Sequence, residues 1–152
     1  MSANRAQVTV SVRVPVPPQT AFAELVDAAG QERWMLGTTV HPLDGPVRAP
    51  DVGARLLAFT GVLGVGVLDE MLVTGYVPGE RWVVAHQGRL IQGEGTFGVR
   101  ADGIGSEVWW TEDLRLPFGP VGRLGWVIVR PAVRWGLQRS LQRFAKLFQG
   151  WV

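Results

Sequence analysis

GPVGRLGWVIVRPAVRWGLQRSLQRFAKLFQG, residues 119–150, decides the fold. Between Gly119-Pro120 and Gly150 the only turn signal is Pro131. Trp126, Val129, Val133, Leu137, Leu141, Phe144 and Phe148 recur at steps of three and four, the spacing of one helix face. From Ala132 to Phe148 the opposite face carries Arg139, Arg143 and Lys146. Such a helix cannot bury its apolar stripe alone and needs a partner surface.

The residues before it supply that surface as strands. Val8, Val10, Val12 and Val14 alternate with polar neighbours, which predicts a strand with one buried face. Pro15, Pro17 and Pro18 stop it, and a proline suits the first turn of the helix that follows toward Gly30. Residues 31–36 predict a second short helix with Trp34 and Met35 as its apolar contacts. Strands are then expected over 38–43, 55–60, 67–77, 81–87, 91–100 and 107–116. They are punctuated by Asp44-Gly45-Pro46, a turn at Gly61, Gly64 and Gly66, Pro78-Gly79, Gly88 and Asp102-Gly103. Gly93, Gly95 and Gly98 inside one strand predict strong curvature. The order, one strand, two short helices, six strands and a long helix, predicts an antiparallel α+β fold.

Composition narrows the function. The 152 residues predict a single domain spanning 1–152, with 47% hydrophobic and 18% charged residues. The net charge of +2 gives no general nucleic-acid footprint, and no nucleic-acid partner is expected. Without cysteine there is no disulfide or thiolate chemistry. His41 and His86 lie far apart with no HExxH spacing, so no metal is expected. The Gly61–Gly66 run lacks the Lys-Ser/Thr of a phosphate loop, and no Gly-x-Ser-x-Gly elbow occurs. No cofactor is expected. The polar first seven residues have no signal-peptide core, and the longest apolar run, 56–68, is too short to span a bilayer. A cytoplasmic protein, monomer or homodimer, is the resulting expectation.

Several segments carry a resemblance. VPVPPQTAFAELVDAAGQERWM, with Asp27 and Trp34 in place, is similar to the opening of START-like (SRPBCC) proteins, the polyketide cyclase/dehydrase and lipid transport superfamily. VGARL (52–56), VTGYVPGERWVV (73–84) and SEVWWTEDLRLPFGPVGRL (106–124) resemble its later segments in the same order. The resemblance implies a helix-grip fold: a curved antiparallel seven-stranded sheet wrapped around a long C-terminal helix, with two short helices after strand one. It further implies a cavity for a hydrophobic small molecule such as a lipid, polyketide-like or aromatic compound. The family has no universal catalytic residues, so an aromatase/cyclase-type enzyme is an alternative and not a consequence.

Within that frame the expected cavity wall is Phe59, Trp82, Val84, Phe97, Trp110, Trp126 and Val133. Val108, Trp110, Glu112, Leu114 and Leu116 share one face of the last strand, which points Glu112 inward. Trp82, Val84 and His86 share a face too. Glu112 and His86 are then polar anchors or acid/base groups in an apolar pocket, or Glu112 sits wetted at its mouth. Arg130 projects between Trp126 and Val133, as a partner for Glu112 unless Pro131 rotates it into solvent. Leu124, Ile128, Ala132 and Trp135 form a second stripe. Either the helix changes phase at Pro131, or that stripe faces outward and contacts a membrane or another protein.

Overall fold

The structure is a computed structural model, and it describes residues 4–45, 48–89 and 91–150. Pro46 of the predicted loop, Met1–Ala3 and the last two residues of the chain fall outside the described residues. In chain order the elements are β1 (Arg5–Val14), α1 (Pro18–Leu25), a 3-10 turn (Ala29–Arg33), β2 (Thr38–Pro42), β3 (Arg55–Val62), β4 (Val65–Val77), β5 (Arg81–Gln87), β6 (Gln92–Asp102), β7 (Gly105–Arg115) and α2 (Gly119–Lys146). The seven strands form one sheet in the order β1-β7-β6-β5-β4-β3-β2, antiparallel throughout. This is the α+β helix grip that the residue pattern and the resemblance predict. The second short helix is a 3-10 turn, and it ends before Trp34 and Met35, which are nonetheless buried.

Alternation places the sheet's inner face. Ala6, Val8, Val10 and Val14 of β1 are buried, as are Val108, Trp110 and Glu112 of β7. On them pack Leu25 of α1, Trp34, and Leu141, Phe144 and Phe148 at the C-terminal end of the chain. Trp34 meets Phe97, Trp110 and Phe144 edge-on, with ring centroids 5.2–6.4 Å apart. Such pairs contribute about 0.5–1.5 kcal/mol each beyond their burial. α2 runs along the outer edge of β1: Arg134 donates to the Thr9 carbonyl and Gln138 to that of Ser11. The helix thereby occupies edge groups that would otherwise invite another strand.

The β3–β4 turn differs from the sequence reading. Gly61 pairs with Gly66 inside the hairpin, and the loop is only Leu63-Gly64. Both loop residues have positive φ, 54° and 80°, as a type I′ turn requires. Leucine is unusual there, and Leu63 is 98% exposed. The inner-strand glycines do more than allow curvature. A Cβ on Gly98 would stand 2.1 Å from the Trp109 ring.

α2 runs through Pro131 without a break, so there is no phase change. Pro131 cannot donate to the carbonyl four residues back, a loss tolerated here because this part of the helix faces solvent. The second stripe therefore does face outward: Leu124, Ile128, Ala132 and Trp135 are all exposed. Val129, predicted on the inner stripe, is about half exposed. Antiparallel pairing puts the β3–β4 turn, the β5–β6 turn and the β7–α2 join at one end of the sheet.

Candidate functional site

A cavity of about 440 Å³ lies between the sheet and α2. Seven of the ten expected site residues line it: Trp82, Val84 and His86 from β5, Phe97 from β6, Trp110 and Glu112 from β7, and Val133 from α2. Each strand contributes every second residue, as alternation requires.

Three expected residues do not. Phe59 is one step out of phase: Leu56, Ala58 and Thr60 of β3 line the cavity, so Phe59 belongs to the other face. Trp126 packs against the core, but it sits two helical turns before Val133 and outside the lining. Arg130 is exposed on α2 and is not the partner of Glu112.

The partners of Glu112 are His86 and Trp110. Trp110 Nε1 donates to Glu112 Oε1 at 2.7 Å, and His86 Nε2 lies 2.8 Å from Oε2. His86 Nδ1 lies 2.5 Å from Asp69 Oδ2. All three ionisable side chains line the cavity and are about nine-tenths buried. The geometry has a cause in the pairing. His86 and Glu112 stand on β5 and β7, two strands apart, roughly 9–10 Å between backbones. Their cross-strand partners on β6 are Gly93 and Gly95. A Cβ on Gly95 would come 2.9 Å from Glu112 Oε1, so glycine there lets the two long side chains meet above β6. Asp69 was missed by the sequence reading. Extending period two along β4, through Asp69, Met71 and Val73, would have placed it on the inner face.

Burial works against a charged imidazole, but the hydrogen bonds and charges of Asp69 and Glu112 outweigh it and raise the His86 pKa to about 10. At neutral pH His86 is therefore an imidazolium donating from both nitrogens. Among the described residues no group of three or more His, Cys, Asp or Glu side chains has the arrangement of a metal site.

At the opposite side the lining includes Ser140, whose Oγ accepts from the Leu36 N–H at 2.9 Å and donates to the Gly136 carbonyl at 2.8 Å. This ties α2 to the 34–38 segment. Thr38, Thr60, Ile91 and Leu114 carry the lining toward the sheet end that holds the β3–β4 turn and the start of α2.

A family model described as polyketide cyclase / dehydrase and lipid transport matches residues 5–149. The chain belongs to that family. Among curated relatives it is 27% identical to Toxin Rv0910 of Mycobacterium tuberculosis (strain ATCC 25618 / H37Rv), over 95% of this chain and 99% of that one. Among solved structures it is similar to TTHA0849 from Thermus thermophilus, with a TM-score of 0.73 at 16% identity, covering 93% of this chain and 95% of that one. The Aha1 dimer from Colwellia psychrerythraea has a TM-score of 0.59 at 16% identity, covering 93% and 98%. These solved structures share the family's fold. Among the described residues no helix is long and apolar enough to cross a membrane.

Proposed function

We propose that this member of the polyketide cyclase/dehydrase and lipid transport family binds a hydrophobic small molecule between its sheet and α2. The observation that carries the reading is the cavity of about 440 Å³, walled by Trp82, Phe97, Trp110, Leu56 and Val133, with its charged groups gathered in one cluster. Cavities of this size, mostly apolar with a few placed polar groups, are the usual form of small-molecule sites. Binding is favoured over proton-transfer catalysis by the state of His86. Both of its nitrogens are engaged and its proton is held to about pH 10, so it is a poor base at neutral pH.

The neutral probe N-phenyl-1-naphthylamine is expected to gain fluorescence on binding and to raise the melting temperature. Ala58→Phe, which fills the cavity from β3, is expected to weaken binding at least tenfold while the fold is retained. Equal affinity in Ala58→Phe would place the probe elsewhere and count against the cavity.

A second reading concerns delivery, and a specific observation favours it. The end of the sheet toward which the lining runs is fringed by exposed apolar side chains. Leu63, Val62 and Val65 stand at the β3–β4 turn, and Phe118 and Val121 at the start of α2. Leu63 and Phe118 are the only non-glycine residues with positive φ among those described, and both carry bulky side chains in water. From residue 114 onward the sequence holds seven basic residues and no acidic one. Exposed apolar groups beside basic ones fit an anionic lipid surface. The protein is expected to co-sediment with phosphatidylserine-containing vesicles at low salt and less with pure phosphatidylcholine. Leu63→Asn combined with Ile128→Glu should abolish this with no loss of stability, since asparagine accepts the positive φ of the turn. Vesicle binding that survives both substitutions would rule this surface out.

A further inference from the structure

The Asp69–His86–Glu112 cluster bears on what the cavity accepts. It is buried in an apolar wall, yet its hydrogen-bonding capacity is lopsided. His86 gives one N–H to Asp69 and one to Glu112, and Trp110 gives its only side-chain N–H to Glu112. Every donor in the cluster is used. The carboxylates are not: each oxygen can accept two hydrogen bonds, and Glu112 Oε1 and Oε2 each have one protein donor. Asp69 Oδ1, though buried, has no hydrogen-bond partner among the described residues. A buried carboxylate oxygen without a donor is costly, and native interiors seldom leave one so. Gly88 packs closely against it: a Cβ there would stand 3.0 Å from Oδ1, so only glycine fits beside this oxygen. With the imidazolium between two carboxylates, the cluster also carries a net negative charge.

We propose that the polar end of the ligand is a hydrogen-bond donor, a hydroxyl or an ammonium group, seated on the Asp69 and Glu112 carboxylates, and that the site rejects carboxylate-ended molecules. A donor fills the unused acceptor capacity. At this cluster an anionic end meets acceptors only and would be desolvated beside like charge. On this basis a free fatty acid is not accepted with its carboxylate at the cluster, whereas an alcohol, a phenol or an amine of the same apolar body is. The proposal rests on the cavity-binding reading above and adds its polarity.

The test compares four compounds with one apolar body: 2-naphthol, 2-naphthylmethylammonium, 2-methoxynaphthalene and 2-naphthoate. Each is titrated into the full chain at pH 7 by calorimetry and by thermal shift. The two donors are expected to bind at least tenfold more tightly than the methoxy compound, and the naphthoate least of all. Glu112→Gln removes one negative charge and is expected to shrink the ammonium-over-naphthoate preference at least fivefold. Should that variant fold poorly, the wild-type ranking alone decides. Equal affinity for all four, or tightest binding of naphthoate, would overturn the donor requirement and leave the cavity reading standing. No binding by any of them up to millimolar concentration would count against both.

Discussion

Replacing His86 by alanine is expected to destabilise the protein by about 3–5 kcal/mol, the usual cost of removing one partner from a buried charged group. The substitution removes the donor that faces Asp69 Oδ2 and leaves Glu112 with Trp110 Nε1 alone. Two carboxylates would then face one apolar cavity without the positive charge between them. The lost imidazole also opens volume, but the electrostatic part dominates, because an unpaired buried charge costs more than a missing ring of this size. Urea denaturation at pH 7 measures it. A loss under about 1 kcal/mol would mean that the carboxylates hydrate through the cavity, and that the cluster is no structural element. The double variant Asp69→Asn/His86→Ala separates the contributions: it is expected to be more stable than His86→Ala alone, since it removes one of the stranded charges.

That cluster was half legible in the sequence. Period two along β7 placed Glu112 among Val108, Trp110 and Leu114, and along β5 placed His86 beside Trp82 and Val84. Asp69 was hidden by its neighbours, since Asp69-Glu70 reads as a solvated pair until the phase of β4 is fixed by Met71 and Val73. The glycines of β6 signalled something, but their purpose depends on register, which only the structure gives: Gly95 stands opposite Glu112 and makes room for its carboxylate. Phe59 failed for a different reason. The phase of Leu56 and Ala58 in the same strand points it to the other face. For α2, spacing told which residues share a face but not how far the partner surface extends. Leu141, Phe144 and Phe148 find the core, while Val129 and Arg130 project beyond it.

Stability is expected to fall as pH rises from about 6.5 to about 10, and His86 sets both limits. Its folded-state pKa of about 10 lies above the ordinary value of 6.5. Below 6.5 the imidazole is protonated in the folded and unfolded chain alike, and the stabilisation from its two charged hydrogen bonds is fully present. Between 6.5 and 10 only the folded form keeps the proton, so each step in pH favours unfolding, by up to about 1.4 kcal/mol per unit. Above 10 the folded form loses it as well. A neutral imidazole has a single N–H, so either Asp69 or Glu112 then loses its donor. Urea denaturation across pH 6 to 10 should show this decline, and His86→Gln should flatten it. The ring itself offers a direct check that does not depend on a stable variant. In nitrogen NMR spectra of the wild-type protein, both His86 nitrogens should keep the shifts of a protonated imidazolium through pH 8.5. A His86 ring found neutral at pH 7.5 would remove the positive charge from the cluster, and with it the expected slope.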